Sequence, residues 1–450
     1  MSVDIPRETA LKILDEINEK EAYSNISLNK HLSRKGLREI DHAFITELVY
    51  GTIKWQLTID WIIEQFSNIK SKKLSHWILN ILRLGVYQLL YMDRVPASAA
   101  CSESVTLAKK YGHPGSVRYV NGVLRNIERE KDKIKYPEKD KDPVKYLEVK
   151  YSHPEWLVKM WLEYYGLDFT EALLKANNQI ADFTIRVNTL KTTKEDLINE
   201  LKANGLEVQP GRYAKQALSL IGPSSISKLE PFKKGLFQVQ SESSILVGEI
   251  LDPKPGEFII DVCSAPGGKT THIAEIMKDS GTVLARDIYE HKLELIKEAA
   301  LRLGLNSIKT EIWDAVNIDE KYIKKADKVL VDVPCTGLGI IRRKPDIKYS
   351  KIGKDIKGIS ELQLKILNAS SHYVKPGGII VYSTCTISPE ENNKVVENFM
   401  KQREDFQLED FSGMLPENLD RYGYKEGYIQ LYPNVHKTDG FFIAKFRRKQ

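Results

Sequence analysis

The sequence predicts three folding units: an all-helical N-terminal domain, a small mixed α/β subdomain, and a C-terminal α/β domain on a mostly parallel seven-stranded sheet. Three observations lead there. Apolar residues recur at helical spacing through residues 1–140. Short alternating runs flank a single helix in residues 182–240. From residue 241 onward, strand-length apolar runs alternate with helical segments, the pattern of a parallel sheet covered on both faces. The expected boundaries are 1–140, 141–181 (linker and helix pair), 182–240 and 241–450.

The elements follow in order. Ala10, Leu11, Ile13, Leu14 and Ile17 stripe a first helix; Phe44 to Trp55 and Ile59 to Phe66 stripe two more. The apolar-rich Trp77 to Leu90 reads as a central buried helix, followed by Ala97 to Tyr111 behind Pro96 and by Val117 to Glu130. Arg83, Lys109, Lys110, Arg118, Arg125 and Arg129 are candidates for an RNA-facing surface of this domain. Lys131 to Lys145, charged and aperiodic, reads as the linker, and a helix pair runs from Tyr151 to Asn178. Phe183 to Leu190 alternates as a strand carrying Arg186, with Lys191 just beyond it; both are candidate RNA contacts. Thr192 and Glu195 have capping-box spacing ahead of the next helix, which Gly205 stops.

A chain of 450 residues exceeds one ordinary core, and 42% hydrophobic with 28% charged residues describes a soluble globular protein. A net charge of +6 is compatible with a nucleic-acid partner without requiring one. No apolar run approaches the roughly 18 residues of a membrane span. Asp4 and Glu8 come too early for a secretory leader, so the cytoplasm is the expected compartment. Cys101, Cys263, Cys335 and Cys385 lie far apart, which argues against a disulfide framework or a zinc site, and no metal is expected.

The organising stretch is Asp261-Val-Cys-Ser-Ala-Pro-Gly-Gly-Lys-Thr270, between a strand-like run and a helix. Small residues at such a turn let a ligand approach the backbone over a helix N-terminus. G-x-G-x-x-G is absent, and Cys263 stands where a Walker A loop needs glycine. The nucleoside pocket of an S-adenosylmethionine (SAM) enzyme remains, with Asp287 at the end of the next strand as the ribose acid; the corresponding acid of dinucleotide folds lies about 20 residues on. Further strands end at Asp314, at Asp332 running into Cys335, and at Tyr382 running into Cys385. Ligands of open α/β sheets sit at this carboxyl edge.

Two cysteines at one site point to covalent chemistry. Cytosine C5 is a poor nucleophile, but a thiolate added at C6 makes it enamine-like. The scheme needs a nucleophilic Cys, an acid near N3 and a second group that assists elimination.

With Asp332-Val-Pro-Cys335-Thr-Gly, Tyr382-Ser-Thr-Cys385-Thr386 and Pro389-Glu-Glu-Asn392, the C-terminal half resembles the RNA (cytosine-5) methyltransferase family. Glu47-Leu-Val-Tyr-Gly-Thr-Ile-Lys-Trp55, Leu84-Gly-Val-Tyr-Gln88 and Asn121-Gly-Val-Leu-Arg125 resemble the NusB-like domain of its bacterial RsmB (Sun) branch, so the likeness spans the chain. It implies a NusB-like helical domain, an RRM-like subdomain and a Rossmann-like catalytic domain that methylates 16S rRNA with SAM, on naked RNA or an assembling subunit. No obligate protein partner is evident. In this family's terms Cys385 is the nucleophile, Cys335 assists product release, and Asp332 bonds the base and borders the cofactor. Cys263, Ser264, Ala265, Pro266, Gly267, Gly268 and Lys269 wrap the methionine end of SAM, Asp287 its ribose and Asp314 its adenine. Arg342, Arg343 and Lys344 match a basic segment facing RNA phosphates. One departure is Gln240-Ser241-Glu242, where the family usually has Gln-Asp, so the support role of that acid does not carry over. The alternatives are a NusB-like RNA-binding or antitermination factor with a non-catalytic scaffold, and a P-loop ATPase. Intact Cys335, Cys385 and Asp332 argue against the first, and Cys263 against the second.

Overall fold

The computed structural model describes all residues except 1–2, 21, 34–35, 223–225 and 351–354. The chain forms two compact units, Met1–Gln179 with Ile341–Ser350, and Ile180–Ile340 with Lys351–Gln450.

The first unit is helical. Its first seven α-helices are Ile5–Lys20, Ser24–Leu32, Glu39–Lys54, Gln56–Phe66, His76–Tyr91, Ala97–Tyr111 and Pro114–Arg129. His76–Tyr91 is the buried centre, with Ile78, Ile81, Leu82, Leu84 and Val86 in the core. Two glycines allow close packing there. A Cβ on Gly51 would lie 1.9 Å from the Tyr87 ring, and one on Gly85 would lie 2.7 Å from Leu124. The quoted motifs of this domain are therefore helix-crossing points. Arg83, expected on the surface, is buried instead: its guanidinium forks onto Asp60 with two 2.7 Å bonds. Lys110 pairs with Glu8 and Arg125 with Glu128.

The expected linker is partly ordered on this unit. Trp61 Nε1 donates to the Lys135 carbonyl at 2.9 Å, and a helix capped by Asp142 runs over Pro143–Tyr151. The helix pair follows as Glu155–Tyr165 and Leu167–Asn177. Residues 341–350 fold with these helices although they follow the Cys335 motif in the chain. Asp346 accepts from Ser24 Oγ at 2.6 Å and from Ser24 N at 3.2 Å, capping a helix start. Lys348 is fully buried, and its ammonium donates to the carbonyls of Lys54 (2.8 Å) and Ser152 (2.6 Å).

The second unit begins with a four-stranded antiparallel sheet in the order β2-β3-β1-β4: β1 Phe183–Val187, β2 Glu207–Pro210, β3 Ala217–Ile221 and β4 Phe237–Val239. Its helix Lys194–Ala203 is capped by Thr193, whose Oγ1 accepts from Asp196 N at 3.1 Å. The cap is thus one residue later than the Thr192–Glu195 pair expected. The departure noted at Gln240 also resolves: Glu242 is buried and accepts from Tyr213 N (2.5 Å) and Ala214 N (2.9 Å), holding this subdomain's loop.

The main sheet comprises β5 Phe258–Asp261, β6 Thr282–Asp287, β7 Ile308–Ile312, β8 Ala326–Asp332, β9 Val374–Thr384, β10 Phe406–Leu408, β11 Tyr424–Lys425, β12 Tyr428–Leu431 and β13 Phe441–Arg448. Their order is β11-β12-β13-β9-β8-β5-β6-β7, with β10 on β13. Strands β5 to β9 are parallel and the rest antiparallel. Among the described residues the sheet has nine strands, not seven; the extra two, β10 and β11, are three and two residues long and lie at its margin. Among the described residues no helix is long and apolar enough to cross a membrane.

Candidate active site

The site grows from the carboxyl ends of the parallel strands. β5 ends at Asp261 and breaks into a turn that leads to the helix Gly268–Ile276. Gly267 has φ +98°, a left-handed conformation natural to glycine, and a Cβ there would press on Ile296 at 3.1 Å. Ser264 ties the turn to β6, its N and Oγ both donating to the Arg286 carbonyl at 2.8 and 2.9 Å. Beyond β6 and β7, Asp287 accepts from Tyr289 N at 3.2 Å, and the exposed Asp314 accepts from Val316 N at 3.2 Å. A small-residue turn over a helix N-terminus, beside acids at two successive strand ends, fits SAM: the turn admits close backbone contact and the acids offer acceptors for the hydroxyl and amino groups of a nucleoside. Cys263 is half-buried, and burial pushes its thiol well up, so it carries no reactive thiolate.

Asp261 is fully buried. Thr270 Oγ1 donates to its Oδ2 at 2.7 Å, and Oδ1 has no partner among the described residues. Burial pushes the carboxyl up to about 7. A folded-state value above the unfolded one makes the native state bind the extra proton, so this contribution to stability declines as pH rises from about 4 to about 7. Asp261→Asn removes that decline. Relative to the native protein, the variant is expected to gain on the order of 2 kcal/mol at pH 8 over pH 5. Thermal unfolding of both proteins at the two pH values measures this, and an equal difference at both would refute it.

β8 and β9 run parallel with Asp332 opposite Ser383, so both cysteines emerge just past adjacent strand ends. Cys335 Sγ lies 2.9 Å from Cys385 Sγ. The hydrogen bond with Cys385 and burial hold the Cys335 thiol well above the ordinary range, with Glu391 adding to the effect. Asp332 accepts from Lys269 Nζ at 2.6 Å and from Ser383 Oγ at 2.7 Å. Lys269, expected at the methionine end of SAM, is ion-paired with Asp332. Its ammonium is also 5.1 Å from the centre of the Phe441 ring.

A buried polar frame fixes the two cysteine loops. Glu391 accepts from Thr336 N (2.9 Å), Thr336 Oγ1 (2.5 Å), Gln363 Nε2 (3.1 Å) and Thr386 Oγ1 (3.1 Å). Burial raises its carboxyl. Asn392 accepts from Thr384 Oγ1 at 2.6 Å and donates to the Thr386 carbonyl at 3.1 Å. Gly339 N donates to the Cys385 carbonyl at 3.0 Å, and a Cβ on Gly339 would be 2.0 Å from the Gly440 carbonyl. The spacing of Pro389-Glu-Glu-Asn392 does not reveal that Glu391 and Asn392 each bridge a cysteine loop.

Arg186 is not an RNA contact. It is completely buried, donating to both oxygens of Glu275 (3.0 and 2.7 Å), to the Gly268 carbonyl (2.7 Å), to Thr271 Oγ1 (3.2 Å) and to Gln240. Lys191 is exposed, but its ammonium is occupied by the carbonyls of Lys234 and Arg302, each at 2.9 Å. Arg342 and Arg343 are half-buried and Lys344 is exposed, on the segment that folds with the helical unit.

Residues 248–447 match the 16S rRNA methyltransferase RsmB/F family, residues 4–129 the NusB family, and residues 153–227 the ferredoxin-like domain of RsmF/B-like methyltransferases. The chain is 40% identical over 449 residues, 98% of each protein, to a probable ribosomal RNA small subunit methyltransferase B of Bacillus subtilis (strain 168). It is similar in structure to PH0851 (TM-score 0.80, 30% identity, 100% of both chains). It is also similar to NSun6 from Pyrococcus horikoshii, solved with SFG (TM-score 0.59, 26% identity, 66% of this chain and 98% of that one). Fold, site and likeness together define a SAM-dependent methyltransferase of ribosomal RNA. The chain belongs to the RsmB/F family, in the branch that carries a NusB domain.

Proposed function

We propose that this protein methylates C5 of one cytosine in 16S rRNA, in the cytoplasm, through a covalent adduct between Cys385 and C6. The observation that carries this reading is the pair of sulfur atoms 2.9 Å apart beside the Lys269-bound Asp332. SAM, when bound, supplies the methyl group as an electrophilic sulfonium. The protein's own residues prepare its acceptor. The Cys385 thiolate bonds to C6, the displaced electron pair moves onto N3, and N3 takes a proton delivered by Asp332, which then accepts from N3–H and from the N4 amino group and recovers the proton when the adduct breaks down. Lys269 and Ser383 hold that carboxylate in place. Once C5 is methylated, its proton must leave and the C6–S bond must break. With Cys385 bonded to C6, the hydrogen bond and the repulsion that raise Cys335 are gone. Cys335 then ionises more readily, takes the C5 proton, and the electron pair left behind expels the Cys385 thiolate.

Arg342, Arg343 and Lys344 are proposed to meet RNA phosphates, on a segment anchored at its far end by Asp346 and Lys348. The test is nucleoside mass spectrometry of unmodified 16S rRNA, naked and as an assembling subunit, incubated with protein and SAM. New 5-methylcytosine at one mapped position is expected. Methylation at another atom or base would overturn the reading while leaving the family assignment intact.

A further inference from the structure

Arg286, on β6 immediately before Asp287, is 1% exposed and lies in a socket of acids and rings. Its Nε and Nη2 donate to Glu311 Oε2, directly opposite on β7, at 2.8 and 2.6 Å. Nη2 also reaches Asp319 Oδ2 at 2.5 Å. The rings of Trp313, Tyr322 and Tyr373 have their centres 5.0, 4.8 and 5.6 Å from the guanidinium carbon. Burying this charge is costly unless its partners are held in place, and here they are. Trp313 N donates to the Asp287 carbonyl at 3.1 Å. Trp313 Nε1 and Tyr373 OH both donate to the Asn317 carbonyl, at 3.0 and 3.1 Å. Asn317 N donates to the Asp314 carbonyl at 3.0 Å. The side chain of Arg286 thereby clamps the loop after Asp314, its backbone carbonyl holds Ser264 of the glycine turn, and Asp287 is the next residue.

We propose that Arg286 is a positioning residue for the adenosine half of SAM, its aromatic and acidic socket fixing Asp287, Asp314 and the Ser264 turn in one geometry. The inference rests on the reading that Asp287 and Asp314 hold the nucleoside. A fork-shaped guanidinium is required, because an ammonium cannot bond two carboxylates and stack on rings in the same way.

The test uses full-length protein carrying Arg286→Lys or Arg286→Met, with Asp287→Asn as control. Calorimetry gives the affinities for SAM and for 5′-methylthioadenosine, which has the nucleoside without the amino-acid end; steady-state assays on rRNA give kcat and KM. Both Arg286 variants are expected to bind both ligands about tenfold more weakly. The RNA KM, and kcat at saturating SAM, should stay within about twofold, a split that a purely structural role would not produce. Loss of thermal midpoint with RNA KM, kcat and SAM affinity all shifting together would assign Arg286 to the fold alone and overturn the proposal. So would unchanged nucleoside affinity in Arg286→Lys while Asp287→Asn binds weakly. Unchanged affinity in Asp287→Asn itself would instead overturn the underlying assignment of the pocket.

Discussion

Cys335→Ala is expected to accumulate a covalent RNA–protein adduct that survives a denaturing gel, and Cys385→Ala to form none. At 2.9 Å the two sulfurs cannot both ionise, because like charges that close disfavour one another strongly. The hydrogen bond that its thiol donates to Cys385, together with burial, favours the protonated form of Cys335, which supports Cys385 as the sulfur that attacks. Without Cys385 no C6–S bond forms, and methylation should fall by roughly four orders of magnitude or more. Without Cys335, attack and methyl transfer proceed but the C5 proton has no acceptor, so turnover should fall by about 10²–10⁴-fold with adduct trapped. An adduct in Cys385→Ala would exchange the two roles. Methylation by both variants without any adduct would remove the covalent scheme.

What could be read from the chain depended on how local each signal is. The five strand ends of the main sheet were legible because an apolar run followed by an acid or cysteine is a local pattern, and parallel pairing brings all those ends to one edge. The helices Ser24–Leu32 and Pro143–Tyr151 escaped sequence reading. The first offers only Ile26, Leu28 and Leu32 as apolar residues, and the second starts inside a run of charges, although Asp142-Pro143 is a helix-start signal. Nothing local in the sequence marks Lys348 as buried, because its carbonyl partners Lys54 and Ser152 are 294 and 196 residues away. Cutting the chain near residue 140 would therefore bare a buried ammonium as well as removing a domain. The motif that places Lys269 at the cofactor does not show its ion pair with Asp332, 63 residues on, which ties the glycine turn to the end of β8.

Arg186→Ala is expected to destabilise the second unit by roughly 3–5 kcal/mol, since it leaves Glu275 buried without its partner. Alternation along β1 gave Arg186 the look of a charge at a sheet margin; its partner Glu275 is 89 residues downstream, and both side chains are 0% exposed. Burial raises the Glu275 carboxyl even beside the guanidinium, so the desolvation cost is present in the native protein and is only partly offset by the pair. Differential scanning calorimetry should show the transition of this unit falling by roughly 10 °C. The double variant Arg186→Met with Glu275→Leu should recover most of that loss, because a well-packed apolar pair is often as stable as a buried ion pair. SAM affinity distinguishes this staple from a simple core contact. Arg186 also holds the Gly268 carbonyl in the first turn of the helix Gly268–Ile276, proposed to cradle SAM, and the double variant cannot replace that bond. Recovered stability with weakened SAM binding is therefore the expected result. Recovery of both would make Arg186 a packing residue only, and RNA affinity that falls at unchanged stability would return it to the RNA surface.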